Sequence, residues 1–220
     1  MSSGEQGQGV AAMNRDDSLS EAMSSYLSQV ADILENLPLE MVEQVIYRLE
    51  EARWKRQQVF TCGNGGSAAT ASHLACDLAK GALAPNKPPI KVLCLSDNVS
   101  LLTAWANDVS YDEVFSQRMN PWIESGDVLI AISGSGNSQN VLNAVDKARA
   151  VGATTIGFTG FDGGKLKDMV DICLIVPSHS MQQIEDVHLL LCHFMATCLS
   201  RMPEEGISRW RSLLPVALDT

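Results

Sequence analysis

A parallel α/β three-layer sandwich, preceded by N-terminal helices, is the fold class this sequence predicts. Three observations carry it. Five short stretches, Val59–Cys62, Ile90–Leu95, Val128–Ser133, Thr154–Thr159 and Ile172–Val176, are rich in Val and Ile with few polar interruptions, as strands covered on both faces read. Segments of helical periodicity alternate with them, so the connections are crossovers and the five-stranded sheet is parallel. Two amphipathic segments come before the first strand.

Residues 1–17 are rich in Ser, Gly, Gln and Asp and read as a flexible N-terminal tail. From Leu19 to about Leu37, Met23, Tyr26, Leu27, Val30, Ile33, Leu34 and Leu37 recur at helical spacing, with Ser18 or Ser20 as cap. Pro38 ends that helix, and a second amphipathic helix runs from about Leu39 to Gln57. Further helices are expected near 67–82, 99–118, 138–151 and 163–169, and a last one from about Gln182 to Ser200. Residues 202–220 carry Pro203, Gly206 and Pro215 and read as a C-terminal extension. No internal repeat or second domain is visible, so 18–201 is taken as one domain.

The chain has 220 residues and a net charge of −10, with a pI of about 4.8 and a mean hydropathy of +0.02. Collagen-like and wholly disordered chains are excluded. The acidic balance argues against binding nucleic acid or docking on anionic lipid, but not against an anionic small substrate held by local amides and hydroxyls. Cysteines at 62, 76, 94, 173, 192 and 198 show no CxxC spacing and are read as reduced core residues, consistent with a reducing compartment. No signal peptide and no apolar run of membrane-spanning length is seen, so a cytoplasmic protein is expected.

Two strand-to-helix junctions carry the chemistry. Cys62-Gly63-Asn64-Gly65-Gly66-Ser67 follows the first strand and opens a helix, where free amides and the macrodipole favour an anion. A dinucleotide fingerprint remains open here: Ala68 stands at the third glycine and Asp97 follows the second strand. A P-loop fails because no GK[ST] follows. Ser133-Gly134-Ser135-Gly136-Asn137-Ser138 follows the third strand. It reads as turn and cap chemistry, or as a neutral phosphate cradle beyond the carboxyl ends of the strands.

Elsewhere, His73 and Asp77 share a helix face at i, i+4, and Glu185, His188 and His193 gather on the last helix. Two His and two carboxylates suit a divalent cation, zinc above all. Spacing alone favours surface helix charges with one buried His. Asp186 and His179 read as solvated.

These motifs, with Gly160-Phe161-Asp162-Gly163-Gly164 and Glu185-Asp186-Val187-His188, resemble in order the sugar isomerase (SIS) domain, most closely its phosphoheptose isomerase branch, from about Leu19 to Ser200. The resemblance implies a flavodoxin-like sandwich whose N-terminal helices build a homotetramer. It implies an aldose–ketose isomerase that interconverts sedoheptulose 7-phosphate and D-glycero-D-manno-heptose 7-phosphate through a cis-enediol, with no nucleotide cofactor. The alternatives are an isomerase of another sugar phosphate, or a non-catalytic module that binds sugar phosphates or proteins.

On this resemblance Ser67, Ser133, Ser135 and Ser138 match the phosphate-binding serines. Asn64, Gly65, Gly66, Asp77, Asn107, Asp108 and Glu185 join them as substrate-binding residues. Asp77 and His193 match the catalytic pair, and His73, Asp77, Glu185 and His193 form the zinc set. Three positions depart from the family: Asp77 stands for its glutamate, Glu185 for its glutamine, and Gln182 for a frequent aspartate. The two carboxylates should hold a divalent cation more tightly than one.

Overall fold

The computed structural model describes residues 18–203. The tail expected over 1–17, and the extension beyond Pro203, lie outside the described residues.

Two helices open the chain: α1 (Leu19–Glu35) and α2 (Leu39–Lys55). The start of α1 is set by Ser18, whose hydroxyl accepts from the Glu21 amide while the Glu21 carboxylate accepts from the Ser18 amide, a reciprocal cap. α2 ends at Arg56, in left-handed conformation at φ 58°, and the chain enters β1 (Gln58–Gly63). There follow α3 (Gly66–Cys76), β2 (Lys91–Cys94), α4 (Val99–Asp108), α5 (Val114–Met119), β3 (Val128–Ile132), α6 (Gln139–Ala150), β4 (Thr154–Thr159), β5 (Ile172–Ile175) and α7 (Met181–Arg201).

All five strands pair in parallel, in the order β2-β1-β3-β4-β5. Strand alternation feeds two cores. Val128, Ile130 and Ile132 face Val45 and Leu49 of α2, Leu74 of α3 and Val187 and Met195 of α7. Leu129 and Ala131 face Phe115 of α5 and Val141 and Val145 of α6. Leu49, Leu74, Leu129 and Val145 are fully buried, each contributing roughly 1.5–3 kcal/mol of transfer free energy.

Three expected helices differ. The segment 99–118 breaks after Asp108, because Val109 and Ser110 leave helical conformation and Ser110 Oγ accepts from the Asp112 amide, starting a new turn. Residues 163–169 shrink to a 3₁₀ turn at Leu166–Asp168, since Phe161, Gly163 and Gly164 all have positive φ. The segment 67–82 stays α-helical only to Cys76. It then widens into a π turn at Asp77–Gly81, where the Ala82 amide donates to the Asp77 carbonyl at 2.8 Å.

All six cysteines are free thiols. Cys62, Cys94 and Cys192 are buried, and burial pushes the Cys62 thiol upward and that of Cys192 to about 12. Cys76 departs from the expectation of a core residue: it is exposed on α3, because that helix turns this position away from the sheet. No helix among the described residues is long and apolar enough to cross a membrane.

Candidate functional site

The strand order reverses between β1 and β3, and both strands deliver their loops to one crevice at that switch point. The β1 loop turns into α3 through Gly65, whose φ of 54° few other residues adopt. Ser67, in the first turn, is only 6% exposed. The β3 loop brings Ser133 Oγ to 3.2 Å from Ser138 Oγ, and Ser135 Oγ accepts from the Asn137 amide. Neither α3 nor α6 has a side-chain N-cap, whereas α1 and α4 are capped by Ser18 and Asn98. α2, α5 and α7 also lack a side-chain cap; of these uncapped N-termini, those of α3 and α6 open beside the serines and offer amides and dipoles to an anion.

Contacts the sequence did not disclose fix this cradle. Asn64 and Asn140 exchange two amide hydrogen bonds at 2.8 and 2.9 Å, and Tyr111 Oη donates to Asn64 Oδ1 at 2.8 Å. Asn64, expected to meet substrate, thus also ties the β1 loop to the first turn of α6. Gly136, at φ 66°, lies directly under the Gly163 carbonyl, and its own carbonyl accepts from the Leu166 amide at 3.0 Å. A side chain on Gly136 would strike that backbone, and one on Gly164 would strike the Ser135 carbonyl, so both loops need glycine where they meet.

The second group lies along the groove between α3 and α7. His73 Nε2 is 2.7 Å from His193 Nε2, with the rings edge to face. Asp77 Oδ2 is 3.4 Å from His73 Nε2 and 3.9 Å from His193 Nε2. That oxygen is shielded from solvent and has no hydrogen-bond partner. Donor atoms of the three side chains lie within 4.8 Å of one another. A buried orphan oxygen beside two converging imidazole nitrogens fits a divalent cation, because a cation would satisfy all three at once. The π turn begins at Asp77 itself, and such a local widening is frequent at functional positions.

Glu185, expected as a fourth ligand, lies outside this group. Its carboxylate sits against Gly66, at the start of α3 and next to the serine cradle. Because α3 and α7 run side by side, Glu185 meets Gly66 where His193 meets His73 and Asp77 two turns further on. His188 does not gather with Glu185 and His193. It is fully buried, with Nε2 3.2 Å from the Thr159 carbonyl and Nδ1 without a partner, and burial lowers its pKa to about 4. Asn107 and Asp108 are exposed, and Asn107 Nδ2 donates to Asp108 Oδ1. Asp186 is exposed but accepts from Tyr26 Oη, which holds that phenol up at about 12. His179 is exposed beside the Phe161 ring.

Comparison with known proteins finds one family by sequence and by fold. The SIS domain model matches residues 25–160. A phosphoheptose isomerase of Helicobacter pylori is 38% identical over 186 residues, covering 84% of this chain and 96% of that protein. One of Rhodospirillum rubrum is 44% identical over 138 residues, covering 63% and 73%. The solved phosphoheptose isomerase of Neisseria gonorrhoeae superposes with a TM-score of 0.76 at 32% identity, covering 83% of this chain and 98% of that one.

Proposed function

The chain belongs to the phosphoheptose isomerase branch of the SIS domain family, and we propose how its residues carry out that chemistry. The protein is an aldose–ketose isomerase acting on sedoheptulose 7-phosphate. The observation that carries the residue assignment is the pairing of a neutral anion cradle with an under-satisfied His–Asp–His trio along one helix. Ser67 and His73 are six residues apart, about 9 Å along α3, a span an extended sugar phosphate covers.

The phosphate binds Ser67, Ser133, Ser135 and Ser138 and the amides of α3 and α6. This anchors a flexible chain and places its carbonyl end at the trio. One of Asp77 and His193 takes the proton from the carbon beside the carbonyl. The other moves a proton between the two oxygens of the resulting enediol. The proton returned to the former carbonyl carbon completes the exchange. Asn64, Gly65, Gly66 and Glu185 line the path between the two ends, and Asn107 and Asp108 contribute from the rim. Glu185 there faces the sugar rather than the cation.

His73, Asp77 and His193 are the residues that would hold zinc, a set of two imidazole nitrogens and one carboxylate oxygen. Bound there, zinc would supply Lewis-acid stabilisation of charge on the carbonyl oxygen. The enzyme works in the cytoplasm as a homotetramer. Support for assembly comes from α1, where Leu19, Met23 and Leu27 are 80, 65 and 58% exposed along one face, and from exposed Leu190 and Phe194 on α7.

The test is direct. Sedoheptulose 7-phosphate incubated with the purified protein and followed by NMR is converted to the aldose phosphate, and conversion falls with chelator and returns with zinc. Conversion indifferent to chelator removes the metal assignment. No conversion under any metal condition removes the reaction.

A further inference from the structure

Arg53 of α2 is buried, its side chain 1% exposed. Its Nη1 donates to the Leu199 carbonyl at 3.0 Å, and its Nη2 to the Ala82 carbonyl at 2.6 Å. Both acceptors terminate elements of the site. Ala82 closes the π turn that begins at Asp77, and its own amide donates to the Asp77 carbonyl. Leu199 lies in the last turns of α7, six residues after His193. Carbonyls at helix ends lack internal partners, and here a single guanidinium satisfies one from each element.

The arrangement is costly. Desolvation pulls the Arg53 pKa below its usual value. Glu50 offsets the charge from 2.9 Å and is itself fully buried, held also by Lys87 and by the Trp54 indole. A well-packed apolar residue often replaces such a buried cluster without loss of stability. An apolar residue cannot bridge two carbonyls from different elements, and a fork of fixed N–H directions can.

We propose that Arg53 is a positioning residue for the isomerisation, setting the spacing of Asp77 and His193 by capping the π turn and α7 together. The inference rests on reading His73, Asp77 and His193 as the cation and proton-transfer site. It gives the N-terminal helices a part in the chemistry besides covering the sheet.

Arg48 provides the matched control. It lies on the same helix and is largely buried, but it reaches Thr154 Oγ1 and the Gly126 carbonyl at the N-terminal ends of β4 and β3. The experiment compares the full-length wild type with Arg53→Lys, Arg53→Met and Arg48→Met. It measures zinc affinity by chelator competition, inorganic phosphate binding, kcat, KM and Tm.

Both Arg53 variants should weaken zinc binding about tenfold or more and lower kcat, with KM and phosphate binding within about twofold of wild type. Arg53→Lys should fall between wild type and Arg53→Met, since an ammonium reaches one carbonyl and not both. Arg48→Met should lower Tm while leaving zinc affinity and kcat within about twofold. If Arg53→Met does not fold, Arg53→Lys decides. Wild-type zinc affinity and kcat in a folded Arg53 variant overturn the proposal. So does a parallel loss of zinc and phosphate binding in the Arg53 and Arg48 variants, which marks general destabilisation. A wild type that binds no zinc removes the metal reading instead. Positioning is then judged by kcat alone: a fall at constant KM in Arg53→Lys supports it, and an unchanged kcat overturns it.

Discussion

In the serine cradle most polar side chains are tied by hydrogen bonds within and between its loops, whereas in the His–Asp–His trio they converge on one another. Asn64 pairs with Asn140 and Tyr111, Ser133 with Ser138, and Asn137 with the Ser135 carbonyl. Asp77 Oδ2 has no partner, and two imidazole nitrogens meet at 2.7 Å. The cradle is made of loops from neighbouring parallel strands, so the sheet itself assembles it. The trio is made of helices whose relevant residues lie 120 positions apart, so it depends on how those helices pack. A preformed cradle binds with little reorganisation. An under-satisfied trio has more to gain from a ligand, and the proposed proton transfer is assigned there.

The largest effect should come from breaking the trio. Asp77→Asn keeps the shape and removes one member of the proposed proton-transfer pair together with an anionic ligand. General acid–base contributions of about 10²–10⁴ set the expected loss of kcat, measured with sedoheptulose 7-phosphate under saturating zinc. Wild-type turnover in this variant would show that the trio is not where the proton moves.

A smaller effect should come from the cradle, and it should be of another kind. Ser133→Ala removes one hydroxyl from the phosphate while Ser138 and the α6 amides remain. A hydrogen bond to a charged group is worth about 1.5–3 kcal/mol, so kcat/KM should fall tenfold to a hundredfold, nearly all of it in KM. A fall in kcat at unchanged KM would mean the two regions do not divide the work as their bonding suggests.

The same division explains what was legible in the sequence. All five strands were readable because a strand buried on both faces is written locally, as a Val- and Ile-rich run. The two loops were readable because glycine and serine are local requirements of a tight turn that opens a helix. Asn140 and Tyr111 were not, since their roles follow from the register of two loops 76 positions apart. Arg53 looked like any charge on an amphipathic helix, and its burial follows from where two other elements end. Glu185 shows the limit most sharply. Its spacing to His193 is correct for one helix, but periodicity carries no information about the register of α7 against α3, which puts the carboxylate at Gly66 and not at Asp77. The break at Val109 and Ser110 was missed because both flanking segments are helical in pattern, and only the Ser110 cap separates them.

The smallest predicted effect sharpens the comparison from a third place, where α7 passes beneath the cradle. His188 is a titratable group of the last helix that belongs to neither region. Burial holds its folded pKa at about 4 against an ordinary value of 6.5. Above pH 6.5 both folded and unfolded forms are neutral, and His188 contributes no pH dependence. As the pH falls below 6.5 the unfolded chain takes up a proton that the native state refuses until about pH 4, so stability drops across that window. The difference should amount to about 2 kcal/mol at pH 5 and about 3 kcal/mol below pH 4. His188→Leu removes the titration without orphaning the Thr159 carbonyl, which still accepts from the Val176 amide. Denaturant melts at pH 7 and pH 5 should therefore show a smaller acid loss in the variant than in the wild type. Equal losses would place the acid sensitivity in other groups, and would mean that the cost of burying this imidazole is met within the fold in both charge states.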